Sequence, residues 1–516
     1  MKITIRILGL LLLFGLVTMS CGDDDEPDPE PTPPVEEDIT VVSVSDGTTV
    51  EGESISHTVT LSGAGSSSNS FTAALADGTA TSEDYDSNLA NATLDNGVTY
   101  ASGEFTVPEG VASFTVSVNT INDAIDEEDK TYTLTVGGQT GTGTITDDDL
   151  PPAYLLQVET QTPEGDRLVY LVVSDQIDDP IDLGEAIEIG GVSRIRSYNG
   201  KVYAFNGETL EVIRYGLDET NTPVEEDVFS MANLGLQTFA SAIAFASDTR
   251  AIYVDANIQQ IVIWDPTAME IVNTIPFGDN FPASAQFDRP AVNAEGKVYL
   301  ATVGLDFTTF QVGAGAQVVI IDPVAETVEV VFDETLPSGN VGLLDMAGDY
   351  YFTANTYFGI GHNFNIELQP TPAIYRILNG QNTFDPDFIL DGATTNEDGY
   401  PDILHYTVSG DRYVVVAHDD STGPLSDKDL FSAFSAPWLL YTGTVGEWNA
   451  VRVPAAEGEL FLFAPYIVDG EFYTTPTFID DRGADAVNPL YRITASGTLE
   501  TVTESPGFIR LVERIR

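Results

Sequence analysis

Between Leu150 and Arg516 the chain repeats itself weakly, at intervals of roughly 50 residues, and periods of that size mark stacked or radially arranged supersecondary units. The clearest shared piece is an apolar strand ending in Asp-Pro: Val262-Ile263-Trp264-Asp265-Pro266 and Ile320-Ile321-Asp322-Pro323. Each is followed by a short turn and another strand, Glu270 to Ile275 and Thr327 to Phe332. Strands that precede such a piece recur at Lys201 to Phe205, Ala251 to Asp255, Lys297 to Thr302, Tyr350 to Ala354, Arg412 to Ala417 and Glu471 to Thr475. No helix-period stretch of useful length intervenes. With Tyr154 to Glu159 added, the pattern predicts a β-propeller of seven blades over 150–516. The region opens on a second-position strand, which leaves the first blade one strand short. Gly507 to Ile515 is a terminal strand with no blade of its own, and pairing it into the first blade would close the ring and hide both sheet edges. A further stack of sandwiches is the alternative fold.

Residues 38–149 are also all-β. Runs such as Thr40 to Val44, Ser56 to Leu61, Ser70 to Leu75, Gly103 to Val107, Ala112 to Val118 and Thr131 to Val136 are separated by turns rich in Gly, Asn and Asp. Short strands at that spacing predict a sandwich. Four ordered segments here resemble the Calx-β family, whose fold is an Ig-like sandwich. They are Val50-Glu51-Gly52-Glu53, Ala76-Asp77-Gly78-Thr79-Ala80 with Asp84-Tyr85, Asn122 to Asp129, and Gly143-Thr144-Ile145-Thr146-Asp147-Asp148-Asp149. In calcium-binding members these acidic segments meet at one end of the sandwich. The resemblance therefore implies calcium as a cofactor, with Glu51, Asp77, Asp123, Glu127, Asp147, Asp148, Asp149 and the Ile125 carbonyl as ligands. Hard Ca²⁺ takes about 6–8 oxygens, and such a gathering of carboxylates without a cation is costly. Lys130 and Asn122 stand where better-furnished members carry acids, which implies one or two ions. A structural domain with weak calcium binding, serving as a spacer, is the alternative.

The N-terminus bears on location. Lys2 and Arg6 precede an uncharged apolar run from Ile7 to Val17, shorter than the ~20 residues a membrane span needs. Residues 1–20 are read as a signal peptide. Thr18-Met19-Ser20 then precede Cys21, the single cysteine, and this resembles the lipobox of bacterial lipoproteins, which implies lipidation of Cys21 and attachment to a membrane. Residues 21–37, rich in Asp, Glu and Pro, form an acidic tether that cannot bury apolar surface. The tether resembles the export signal of Bacteroidota surface lipoproteins, implying an outer-membrane location facing the exterior. With a lone cysteine, no disulfide or zinc cluster is available within the chain. The formal net charge is −61; from Cys21 to Leu150 there are 27 acids and one base. Such a surface repels nucleic acid, which is excluded as a partner.

Loops carry the functional expectation for the propeller. The connections between second and third strands are short near Gly207 and Asn257, then lengthen at 304–316, 359–370 and 420–437, and shorten again at 480–488. Long loops in a compact domain are commonly functional. Aromatic residues and a few cations on that face suggest a recessed site for an aromatic or anionic ligand, with Arg289, Tyr357, His362, Tyr400, Trp438 and Arg482 as the groups to test. The loops capping the channel on their own account is the alternative. The second half resembles propeller lipoproteins of Bacteroidota, some of which capture ferric siderophores beside TonB-dependent receptors. That implies a small-molecule ligand and such a receptor as partner. A calcium-stiffened adhesin or scaffold binding glycan or protein is the competing reading. Enzyme motifs such as G-x-S-x-G and H-E-x-x-H are absent. A propeller hydrolase or lyase stays open only because propellers host such enzymes; the hairpin neighbours His405 and His418 could bind metal or serve as base, with a structural role as the alternative, and His57 falls on a sandwich strand.

Overall fold

The computed structural model describes residues 38–516 except 124, 163, 240–241, 288, 307–310, 354–372, 420, 422–437, 449, 456–458, 462–463 and 479–486. Two compact units divide between Asp148 and Asp149, one residue before the expected boundary. Among the described residues every regular element is a strand apart from four short 3-10 turns.

The first unit is a sandwich. One sheet runs in the order Val41–Val44, Ser54–Leu61, Ser113–Asn119, Thr93–Leu94. The other runs Gly47–Val50, Gln139–Thr146, Lys130–Val136, Asn69–Asp77, Glu104–Val107, Thr99–Ala101. Strict alternation in Ser54–Leu61 buries Ile55, His57, Val59 and Leu61 and exposes the residues between them, as a sheet with one wet face requires. Both sheets feed one core containing Val59, Phe105, Phe114, Tyr132 and Leu134. His57 is fully buried in it, with Nδ1 2.8 Å from the Ser45 carbonyl and Nε2 3.0 Å from the Tyr132 hydroxyl. A carbonyl only accepts, so Nδ1 carries the proton and Nε2 accepts from Tyr132 in the neutral ring.

The second unit is a closed ring of seven blades. Blade 2 is typical: Arg194–Tyr198, Lys201–Asn206, Glu211–Leu217 and Pro223–Ser230 pair in sequence order from the innermost strand outward. The Asp-Pro repeat is explained by its turn. Asp265 Oδ1 accepts from the amides of Thr267 and Ala268, and Asp322 Oδ1 accepts from those of Val324 and Ala325. Three residues after the proline, Met269 and Glu326 take positive φ, at 53° and 56°. An Asp side chain that ties down its own downstream amides stabilises such a turn.

Ring closure shows in two ways. Phe508–Arg514 pairs with Tyr154–Gln161 as the innermost strand of blade 1, as the unpaired terminal strand led one to expect. Seven apolar clusters also lie between neighbouring blades, one for each junction, including one joining blade 7 to blade 1 through Tyr466, Leu490, Leu156 and Ile509. A stack of sandwiches would not share its cores in a cycle. The expected second-position strands all take that place.

Burial lowers the pKa of His57 below 6.5, against the opposing pull of the Ser45 carbonyl and Asp46. A depressed histidine is neutral when folded and protonates on unfolding. Its contribution is thus complete above pH ~6.5 and is lost as pH falls below that value, by at most about 1.4 kcal/mol per pH unit. All three tryptophans lie in the propeller, so calorimetry alongside tryptophan fluorescence separates the two units. The sandwich transition of wild type should fall in temperature between pH 7.5 and 5.5, and His57→Gln should flatten that dependence.

Candidate functional sites

At one end of the sandwich a parallel strand pair sets up an acidic group. Gly47–Val50 lies parallel to Gln139–Thr146, with Val50 opposite Thr146. The residues just past each strand, Glu51 and Asp147, are therefore side by side, and the Glu51 amide donates to the Thr146 carbonyl at 3.1 Å. Asp149 follows two residues later. Glu51, Asp147 and Asp149 each bring a carboxylate oxygen within 4.8 Å of the others, and Glu51 is only 9% exposed. Among the described residues this is the one group of three or more metal-ligand side chains so gathered.

The other expected ligands are placed differently. Asp77 accepts from the Tyr85 hydroxyl at 2.7 Å. Asp123 Oδ1 takes the Ile125 amide in a tight turn, and Ile125 is exposed. Asp148 is exposed. The Glu127 amide donates to Asp147 Oδ2 at 3.0 Å, while its carboxylate pairs with Lys130. Lys130 also reaches Asp84 at 2.6 Å, which drives the lysine pKa far above its ordinary value and lowers that of Asp84 against the effect of burial. The Lys130 ammonium thus already offsets two of the acids near this end, Asp84 and Glu127. The remaining triad has hard oxygen donors suited to Ca²⁺.

In the propeller, the innermost strands surround an axial cavity of about 400 Å³ lined by Arg289, Leu343, Tyr406, Tyr466, Leu511 and Glu513, among others. A second space of about 260 Å³ shares Arg289, Leu511 and Glu513 and adds Arg196 and Phe245. The Arg289 guanidinium lies 5.7 Å from the centre of the Tyr466 ring, within cation–π range. Glu513 is engaged by Ser197, whose amide and hydroxyl donate at 2.8 and 2.9 Å.

Of the six residues expected on the ligand face, Arg289 lines this channel. Tyr400 precedes blade 6, and its hydroxyl pKa is raised by burial and by Asp419. Trp438 corrects the expectation: it is 1% exposed and packs in the core between blades 6 and 7, edge-on to His418 at 5.3 Å. Its large apolar ring is worth more in that core than on a wet face. Tyr357, His362 and Arg482 lie outside the described residues, as does Cys21. His405 and His418 sit at the open end of their hairpin, His405 opposite Val416 and His418 donating its amide to the Asp402 carbonyl at 2.8 Å. Both are buried.

A polar cluster around Glu159 escaped the sequence reading. Glu159 is 8% exposed and sits between Arg510, at 3.2 Å, and Arg167, at 3.7 Å. Gln157 donates to it at 3.1 Å and accepts from the Ile195 amide, locking blade 1 to blade 2. The available signal was arginine inside apolar strands, Arg194-Ile195-Arg196 and Ile509-Arg510-Leu511, in a chain with only 20 basic residues.

No protein-family model and no curated protein sequence matches the chain. Among solved structures, a Lactobacillus plantarum protein is 11% identical with a TM-score of 0.43, covering 71% of this chain and 99% of its own. The Pseudomonas aeruginosa periplasmic gluconolactonase PpgL is 12% identical with a TM-score of 0.46, covering 70% and 99%. The calcium binding domain CBD12 of CALX1.1 is 15% identical with a TM-score of 0.19, covering 33% and 79%. At this distance the fold rests on the chain's own strand pairing and ring of shared cores: an all-β protein built of a sandwich and a seven-bladed propeller.

Proposed function

We propose that the protein is a surface lipoprotein of the Bacteroidota type, held to the outer membrane through Cys21, that captures a small ligand in its propeller. The observation that carries this reading is the axial cavity, where Arg289 lies over the Tyr466 ring between apolar strands. Concave, mainly apolar spaces with a few converging polar groups are the usual form of a small-molecule site. A ferric siderophore is the first ligand to try, and a TonB-dependent receptor is the partner that would take it onward.

Native mass spectrometry of the full-length protein with ferric siderophores and small glycans tests capture. A retained ligand, lost in Arg289→Ala, is the expected result. No retention across the panel turns the reading to an adhesin or scaffold, with the channel faces serving a macromolecule. Anchoring has its own check: radiolabelled fatty acid should enter the wild-type protein and not Cys21→Ser, which should leave the membrane fraction. Label persisting in the serine variant sinks the anchor.

The sandwich is proposed to bind calcium at Glu51, Asp147 and Asp149, a charge balance the triad favours because three close carboxylates repel one another. One ion is expected, since Lys130 already serves Asp84 and Glu127. Titration calorimetry should give a stoichiometry near one, and Asp147→Asn should weaken affinity at least ten-fold. Added calcium should raise only the sandwich melting transition. Heat-silent titration, with no calcium-induced shift in melting, would discard the site.

A further inference from the structure

We infer that the propeller channel takes a small zwitterion, an apolar amino acid or short peptide whose carboxylate meets Arg289 and whose ammonium meets Glu513. This rests on the capture reading and gives it a ligand class.

Arg289 and Glu513 line both spaces of the channel, the one of about 400 Å³ and the one of about 260 Å³. Arg289 lies on the inner side of blade 4, between the short strands Ala285–Gln286 and Ala291–Val292, and Glu513 on the innermost strand of blade 1. Blades 1 and 4 stand as far apart as two blades of seven can, so the two groups enter the channel from opposite sides. The Arg289 guanidinium reaches to 5.7 Å from the centre of the Tyr466 ring, on the innermost strand of blade 7, which adjoins blade 1. Each group keeps capacity for a ligand. Glu513 takes the amide and the hydroxyl of Ser197 on one oxygen, Oε2, at 2.8 and 2.9 Å, and no described residue donates to Oε1. Arg289 has the Tyr466 ring beside it and no hydrogen bond or ion pair among the described residues, so it is not paired with Glu513.

The two charges decide the ligand class together. A guanidinium fork suits a carboxylate, but a simple anion in this space also meets the carboxylate of Glu513. A simple cation suits Glu513 and meets Arg289. A molecule that carries both signs satisfies both, and it brings no net charge into a space where water screens less. Arg196 lines the smaller space too, but it is already engaged, Nη1 donating to the Ile195 carbonyl at 2.8 Å. The remaining walls set the body of the ligand: Val292, Val341, Leu343 and Leu511 offer apolar surface, which an apolar side chain fills. Cavities of this size hold small molecules, so a free amino acid or a peptide of two or three residues fits the space.

The test is titration calorimetry of the full-length protein in neutral, low-salt buffer with leucine and dileucine. The N-acetyl form of each, which lacks the cation, and the C-terminal amide of each, which lacks the anion, serve as controls. Saturable binding of leucine or dileucine is expected, with both blocked forms weaker by about ten-fold or more. Arg289→Gln should weaken the zwitterion by a similar factor and leave the amide form unchanged, because that probe has no carboxylate to lose. Glu513→Gln should weaken the zwitterion likewise and leave the N-acetyl form unchanged. Glu513 also holds Ser197, so Arg289→Gln is the decisive variant, with its tryptophan-monitored melting expected to match wild type. The leucine and dileucine arms tell which length the site prefers. Absence of saturable binding by both zwitterions, equal binding of the blocked forms, or undiminished binding by Arg289→Gln would each overturn the inference. If a siderophore or glycan is retained in the mass-spectrometric panel while these arms fail, capture stands and the zwitterion assignment falls.

Discussion

The pairing of Phe508–Arg514 with Tyr154–Gln161 joins residues about 350 positions apart, and the propeller depends on it. Without that strand, blade 1 would present an open inner edge to the channel. The core between blades 7 and 1 would lose Ile509 and Val512, and the core between blades 1 and 2 would lose Leu511. Each blade offers a sheet with two apolar faces and can bury them only against its neighbours, so the ring is cooperative around its circumference. Bringing the two ends together costs loop-closure entropy that grows only slowly with length, and two apolar cores outweigh it.

The same closure gathers a buried polar cluster beside the first and last strands. Arg510 arrives on the last strand and Glu159 on the first, while Arg194 belongs to the next blade. Only a closed ring puts them together. Basic residues kept inside a protein are expensive to desolvate unless a counter-charge and hydrogen bonds offset the cost. Glu159 offsets that cost within blade 1, and Gln157 ties the cluster to blade 2 through the Ile195 amide.

The acidic end of the sandwich follows the same logic on a smaller scale. Parallel pairing of Gly47–Val50 with Gln139–Thr146 carries Glu51 and Asp147 to the same end, although 96 residues separate them in sequence. Lys130 then divides the acidic segments in two. One set, Asp84 and Glu127, is satisfied by an ammonium. The other, Glu51, Asp147 and Asp149, brings its carboxylate oxygens within 4.8 Å of one another.

Local pattern made much of this legible. Strand alternation, Asp-led turns and the odd terminal strand depend on near neighbours and on counting, so the sandwich, the seven blades and the closing strand could be read from the chain. The gathering of Glu51, Asp147 and Asp149 was legible because the resemblance implied that the acidic segments meet at one end of the sandwich. Convergence across distant strands was not legible. A tryptophan beside a long loop reads the same whether it faces ligand or core, and packing between blades 6 and 7 claimed Trp438. Arginines in apolar strands read as isolated charges until strand pairing brought Arg167 and Arg510 to Glu159. Composition and period determine which faces must be buried; which charges then share a low-dielectric space is decided by closure in three dimensions, because electrostatic coupling depends on distance through space and not along the chain.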